Sequence, residues 1–276
     1  MNYKMVCIDL DGTLFGENRR ISESTIEVIS EVYKKGIEVV VTTGRLYSNA
    51  AQISKQIGVS SPVIAANGAI IRDEGSDKEI YNSSFSYNQC NVILDLIKKH
   101  RLFAHFYTTD RVIASSPIAN LAALYYRYRN NGSDYKINVD SCISSWTLKK
   151  RFKDYEEKIV KCVVYSSDSR RIKAFKKEVM EIDDLTVFGA GRYSAEVNAR
   201  DVSKGNAIEI LADYMNIPRG KIICIGDNEN DISMIKYAGV GVAMGNAIPE
   251  LKEIADYVTD TNINDGVAKA IKKFIL

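Results

Sequence analysis

"VCIDLDGTLF", residues 6–15, finishes an apolar run on two aspartates two positions apart and then turns through a glycine. Val6, Cys7 and Ile8 suit a strand covered on both faces, as strands of a parallel sheet are. Unpaired charge is costly to bury, so Asp9 and Asp11 at the end of such a run require a partner. Residues two apart on a strand share a face, which lets the two carboxylates converge on one point beyond the strand's carboxyl end. In open α/β sheets that edge is where ligands bind.

Two carboxylates held close repel each other unless a cation lies between them, and a hard divalent ion such as Mg2+ prefers oxygen ligands. A second acidic cluster follows the apolar run 221–225, in "IGDNENDI" (225–232), with Gly226, Asp227, Asn230 and Asp231. If both runs are parallel strands of one sheet, Asp227 could reach a metal held by Asp9. A third apolar run, 37–42, leads into "TTGR" (42–45), which offers a hydroxyl, a glycine whose N–H can approach an anion, and Arg45. Lys204, at a helix start in "DVSKGNA" (201–207), adds a fixed positive charge. Together these residues make a site for a divalent metal and a phosphate.

The apolar runs 3–8, 37–42 and 221–225 alternate with helical patterns at 22–35, opened by Ser22, and 204–216, closed before Pro218. That alternation predicts a doubly wound α/β fold with a parallel sheet. The middle of the chain reads differently. Strand patterns at 103–107, 111–116, 135–140, 161–167, 185–189 and 193–198 are interspersed with helical stretches at 88–100, 118–130 and 168–180. This predicts an α+β domain over 84–190 inserted between two halves of the core, 1–83 and 191–276. Gly189 and Gly191 fit either a return hinge or a simple turn.

Composition narrows the class. The chain has 276 residues, 46% of them apolar, and carries 37 basic against 35 acidic side chains for a net charge of +2. That balance gives no general attraction to nucleic acid or to an anionic membrane surface, so neither is expected as a partner. Cys7, Cys90, Cys142, Cys162 and Cys224 form no CxxC pair and have only His100 and His105 to assist them, which argues against zinc and against disulfides. No stretch reaches the roughly 18 apolar residues of a membrane span, and the start lacks a secretory signal, so the expected location is cytoplasmic.

"DLDGTL", "TGR", "SKGNAI" and "GDNENDISMI", in that order, resemble the four motifs of the haloacid dehalogenase superfamily of phosphatases. "NGAII" (67–71) and "VAMGNAIPELKEIADYVTDTNINDGVAKAI" (242–271) are similar to the Cof-type subgroup, whose α/β cap of type IIB lies between the second and third motifs. The resemblance implies that Asp9 is the nucleophile that forms an aspartyl-phosphate. It implies that Asp11 is general acid and then general base, its backbone carbonyl also ligating Mg2+. Asp227 would complete the metal site, with Asp231 supporting it or ligating the ion itself. Asn230, Thr43 and Gly44 would contact the transferring phosphoryl group, and Lys204 would neutralise charge on nucleophile and phosphate.

Other features carry less. Thr42 competes with Thr43 for the hydroxyl role, and the resemblance alone selects Thr43. Arg45 would contact phosphate, substrate or cap, or lie on the surface as a helix-start arginine. Asn198 and Asn246 are weaker candidates still. Gly239, Gly241 and Gly245 have the wrong spacing for a dinucleotide fingerprint. "KKRFK" (149–153) reads as a solvated helix face, the tyrosines of "LYYRYRN" (124–130) as cap core and surface, and His100 and His105 as structural.

The expected activity is a Mg2+-dependent phosphatase acting on small phosphorylated metabolites, such as sugar phosphates, flavin mononucleotide or pyridoxal phosphate, as a monomer or small homo-oligomer. A cap that closes over the sheet edge would exclude water and macromolecules. A phosphomutase shares the first motif and stays open as an alternative, as does a non-catalytic phosphometabolite-binding module. A transport ATPase of the same superfamily is excluded by the lack of a membrane span.

Overall fold

The computed structural model describes residues 3–73, 75–76, 78–129, 138–142, 144–189 and 191–276. The chain divides into two compact units, residues 1–81 with 203–276, and residues 82–202.

The first unit opens with β1 (Met5–Ile8), α1 (Glu23–Lys34), β2 (Glu38–Val41), α2 (Tyr47–Gln56), β3 (Val63–Ala65), β4 (Ile70–Arg72) and β5 (Glu79–Asn82). Every residue of β1 is fully buried, the mark of a strand sandwiched between layers. Ser22 caps α1, its Oγ accepting from Thr25 N at 3.2 Å, and Thr25, Val28, Ile29 and Val32 form the buried stripe.

The inserted unit follows with α3 (Tyr87–Lys99), β6 (Phe103–Tyr107), β7 (Arg111–Ala114), α4 (Pro117–Arg129), β8 (Asn138–Ser141), α5 (Ser145–Asp154), β9 (Lys161–Tyr165), α6 (Ser169–Met180), β10 (Leu185–Gly189) and β11 (Ser194–Ala199). Its strands form one sheet in the order β10-β11-β9-β6-β7-β8, antiparallel except for β7 and β8. Phe106 of β6 meets Phe152 of α5 edge to face at 4.7 Å between centroids, in a core that also takes Ile93, Leu94, Ile172 and Phe175. His105 donates through Nε2 to the Ala119 carbonyl of α4 at 2.7 Å, a structural role as expected.

The chain then returns to the first unit through α7 (Lys204–Tyr214), β12 (Ile222–Gly226), α8 (Ile232–Tyr237), β13 (Val240–Ala243), α9 (Pro249–Ile254), β14 (Tyr257–Val258) and α10 (Gly266–Phe274). Among the described residues its main sheet is parallel, in the order β14-β13-β12-β1-β2. An isolated parallel bridge, Thr42 to Ile64, brings the β3-β4-β5 sheet alongside β2. Met5 to Ile8 lie in register with Ile222 to Ile225, so the ends of β1 and β12 fall side by side.

One expectation needs correction. The second boundary falls at 202/203 rather than near 191, because β11 pairs with β9 and β10 and so belongs to the inserted sheet. Of the two readings open for Gly191, the turn fits: at φ +113° it lies between the antiparallel strands β10 and β11. Residues 135–137 of the expected strand at 135–140 lie outside the described residues, as do the side chains at 125–130 of the tyrosine-rich stretch. All five cysteines are buried and unbridged. Among the described residues, no helix is long and apolar enough to cross a membrane.

Candidate active site

Beyond β1 the backbone does not continue as a strand. Asp9 N donates to Ile225 O at 3.0 Å, still tied to β12, while Asp9 O accepts from Leu14 N at 3.1 Å and closes a wide turn over residues 10–14. Gly12 makes that turn possible with φ +88°, and a Cβ there would collide with the Asp227 carboxylate. Thr13, fully buried by the same turn, donates its Oγ1 to Asp227 Oδ1 at 2.8 Å. The loops after β1 and β12 are thus locked to each other, and the two strand ends deliver Asp9 and Asp227 to one place.

Lys204 completes the centre. It opens α7, whose cap Ser203 accepts from Asn206 N at 3.1 Å, and its side chain is fully buried. Its Nζ lies 2.5 Å from Asp9 Oδ1 and 2.6 Å from Asp231 Oδ1. The other oxygen of Asp231 accepts from the backbone N–H groups of Asp227, at 2.8 Å, and Asn228, at 3.0 Å. Asp231 therefore spends both oxygens organising its own loop and holding Lys204. Asp9 and Asp227 each keep one oxygen outside these bonds.

Oxygens of Asp9, Asp227 and Asp231 all lie within 4.8 Å of one another. Three carboxylates face one ammonium, and the protonation equilibria follow. Burial, opposed by Lys204 and assisted by the charges of Asp231 and Asp227, drives the Asp9 carboxyl well above its ordinary range. Burial and then the charge of Asp231 push Asp227 up to about 6. Burial works against the Lys204 ammonium, but the charges of Asp231 and Asp9 outweigh it and hold the proton more tightly than usual. An all-oxygen cluster with surplus negative charge fits a hard divalent cation, and Asp9 and Asp227 have the oxygens to hold it.

Asp11 lies outside that cluster. Its carboxylate takes a two-point grip from Arg45, Nε to Oδ2 at 2.6 Å and Nη2 to Oδ1 at 2.5 Å. Arg45 is itself held by Asn49 Oδ1 at 2.9 Å and lies over the Phe15 ring at 4.8 Å. Dehydration by the atoms packed around Asp11 works upward on its carboxyl, but the hydrogen bonds and charge of Arg45 win and hold it below the usual range. Arg45 is thus neither a plain surface arginine nor, in this arrangement, a free anion ligand.

Thr43 is buried, and its Oγ1 accepts from Arg45 N at 3.1 Å. Thr42 turns its hydroxyl to the Val40 carbonyl at 3.4 Å, so of the two threonines Thr43 belongs to the 43–45 loop. Gly44 follows it, half-buried. Asn230 donates Nδ2 to Asn67 Oδ1 at 3.1 Å. Asn198 belongs to the inserted unit, where it donates to the Val160 carbonyl at 2.9 Å.

Three residues near the site escape sequence reasoning as site members. Thr13 sits inside the quoted "DLDGTL", yet nothing local marks its hydroxyl as the anchor of Asp227. Asn67 precedes a glycine, the signature of a left-handed turn, but its partner is distant. Asn246, which no motif singles out, donates to the Gly12 carbonyl at 2.8 Å and accepts from Asn262 N at 2.9 Å, tying a third loop to the 10–14 turn.

The sequence profile of the haloacid dehalogenase-like hydrolases matches residues 6–271. The chain is 30% identical to phosphatase YwpJ of Bacillus subtilis, over 99% of this chain and 100% of that one. It is also 30% identical to the 5-amino-6-(5-phospho-D-ribitylamino)uracil phosphatase YcsE of the same organism, over 100% of this chain and 97% of that one. Among solved structures, a haloacid dehalogenase-like hydrolase from B. subtilis superposes with a TM-score of 0.84 at 28% identity, covering 99% and 100% of the two chains.

Proposed function

The chain belongs to the haloacid dehalogenase-like hydrolases, as a phosphatase of the Cof-type subgroup, and from that premise we propose that it hydrolyses small phosphorylated metabolites with Mg2+ through an aspartyl-phosphate on Asp9. The observation that carries this reading is the convergence of Asp9, Asp227 and Asp231 on the single buried ammonium of Lys204.

Asp9 has one oxygen fixed by Lys204 and one outside that bond, which suits in-line attack on phosphorus. A bound Mg2+, held by Asp9 and Asp227 with the Asp11 carbonyl, would neutralise charge on the phosphoryl oxygens and orient them. Lys204 lowers the cost of bringing a phosphate dianion against a carboxylate. Thr43, Gly44 and Asn230 donate to the phosphoryl oxygens. Asp11, once released by Arg45 and protonated from solvent, gives that proton to the leaving-group oxygen and later takes one back from the hydrolytic water. Arg45, freed in turn, is matched to a phosphate by its planar fork of donors.

The name of the ribitylaminouracil phosphatase relative describes a phosphate ester on a polyol chain. It supports sugar or polyol phosphates as the substrate class.

Phosphate release from p-nitrophenyl phosphate and a panel of sugar and polyol phosphates, with Mg2+ and with EDTA, tests the reading in the wild type and in Asp9→Asn. Metal-dependent release lost in the variant supports it. Turnover that survives Asp9→Asn overturns the covalent route, and release that requires an added sugar bisphosphate favours a mutase.

A further inference from the structure

The stretch "NGAII" contributes to the site through its first residue. Ala66, Asn67 and Gly68 have successive φ values of +51°, +62° and +103°, all in the left-handed region. Non-glycine residues rarely occupy it, and neighbours in that state persist only where the surroundings hold them. Here the surroundings are the segments that carry the site. Ala66 N donates to Arg45 O at 2.9 Å and Asn67 N to Thr43 O at 3.0 Å, so the loop grips the 43–45 segment at two points. Gly68 lies so close to the Ser203 carbonyl, in the cap of α7, that any Cβ would collide with it. The Asn67 side chain, with no exposed surface, accepts the Asn230 amide.

We propose that Asn67 is a positioning residue for phosphoryl transfer, acting through Asn230; the inference rests on the reading of Asn230 as a contact of the phosphoryl group. A carboxamide can present either end to a ligand. By accepting from Nδ2, the Asn67 carbonyl fixes which end of Asn230 is the donor and consumes one of its two N–H groups, leaving the other for a phosphoryl oxygen. Asparagine meets three demands at once: it adopts φ near +60° more readily than other residues with a Cβ, it accepts a hydrogen bond, and it is neutral. Aspartate would set a second negative charge beside the phosphate, and a longer side chain has no space in a fully buried loop.

The test compares wild type, Asn67→Gly, Asn230→Ala and the double variant, measuring kcat and KM for p-nitrophenyl phosphate with Mg2+ and thermal unfolding of each. Glycine keeps the left-handed backbone and removes only the side chain. The expected result is a loss of roughly tenfold or more in kcat/KM for Asn67→Gly, with a folded protein. The double variant should be no worse than Asn230→Ala alone. Wild-type rates in Asn67→Gly beside a defective Asn230→Ala would overturn the role of Asn67 and leave the phosphatase reading intact. Losses that simply add would overturn it as well. A defective Asn67→Gly beside a normal Asn230→Ala would show that Asn67 acts on something other than Asn230, and would remove Asn230 from the phosphoryl contacts.

Discussion

Arg45 holds both carboxylate oxygens of Asp11, at 2.6 and 2.5 Å, in a chain where the proposed mechanism has Asp11 move the protons. A carboxylate gripped at two points by a guanidinium is held ionised and has no proton to give. Arg45→Lys keeps the charge and loses the fork geometry. The same fork, once it lets Asp11 go, is the proposed contact for the phosphoryl group, so we expect its loss to lower kcat/KM for p-nitrophenyl phosphate roughly tenfold. Stability should move by less than about 1 kcal/mol, since the Asp11 side chain is 55% exposed. Steady-state kinetics with thermal denaturation checks both, and unchanged kinetics would show that the grip is incidental.

Lys204 presents the opposite case, since it has no contact with solvent and serves two carboxylates. Lys204→Met leaves Asp9 and Asp231 buried without their cation, a loss of about 3–5 kcal/mol in EDTA. Added Mg2+ should recover part of that stability and none of the turnover. Urea unfolding with and without the metal measures it, and a Lys204→Met protein as stable as wild type in EDTA would contradict the ion-pair geometry.

These two pairs also show what the sequence could and could not disclose. Asp9, Lys204 and Asp227 were legible because each stands where a strand or helix pattern starts or stops, so a parallel sheet alone brings them to one edge. The Arg45 to Asp11 grip was not, since it depends on the side-chain path through the 10–14 turn. Thr13 and Asn67 act through partners far away in the chain, and no local periodicity encodes such a pairing. The strands β3 and β4, three residues each, are too short to show alternation. The return boundary was misplaced because β11 is a strand on any reading, and only its pairing with β9 and β10 reveals which unit owns it.

Metal binding should appear as stability as well as rate. A ligand that binds only the folded chain, at a hundred times its dissociation constant, adds about 2.7 kcal/mol. Mg2+ should therefore raise the melting temperature of the wild type by several degrees, and less in Asp227→Asn, which removes one of the charges that call for the ion. Equal shifts in both proteins would move the ion away from Asp227.

His105 gives a pH dependence remote from this centre. Burial, partly offset by the bond to the Ala119 carbonyl, holds the folded imidazole below its ordinary value. The sign follows: the folded state keeps His105 neutral while the unfolded chain gains a proton near pH 6.5. Stability from this residue is complete above that value and is lost as pH falls toward the folded value, by at most about 1.4 kcal/mol per pH unit. Urea unfolding at pH 7.5 and 5.5 should show a smaller pH effect in His105→Gln than in wild type, and identical slopes would remove His105 as the cause.

In the main sheet β1 lies between β12 and β2, and Lys204 Nζ reaches Asp9 across 195 positions of sequence. β1 thus waits for a strand that comes much later in the chain. Until residues 222–226 are made, β1 lacks the neighbour that covers its edge in the native sheet, and an uncovered edge is prone to pairing with the wrong strand. Closure of so long a loop makes assembly of this sheet slow by its topology. The inserted unit has its own sheet and core and can fold during that interval, so its maturation is separable in time from that of the chemistry.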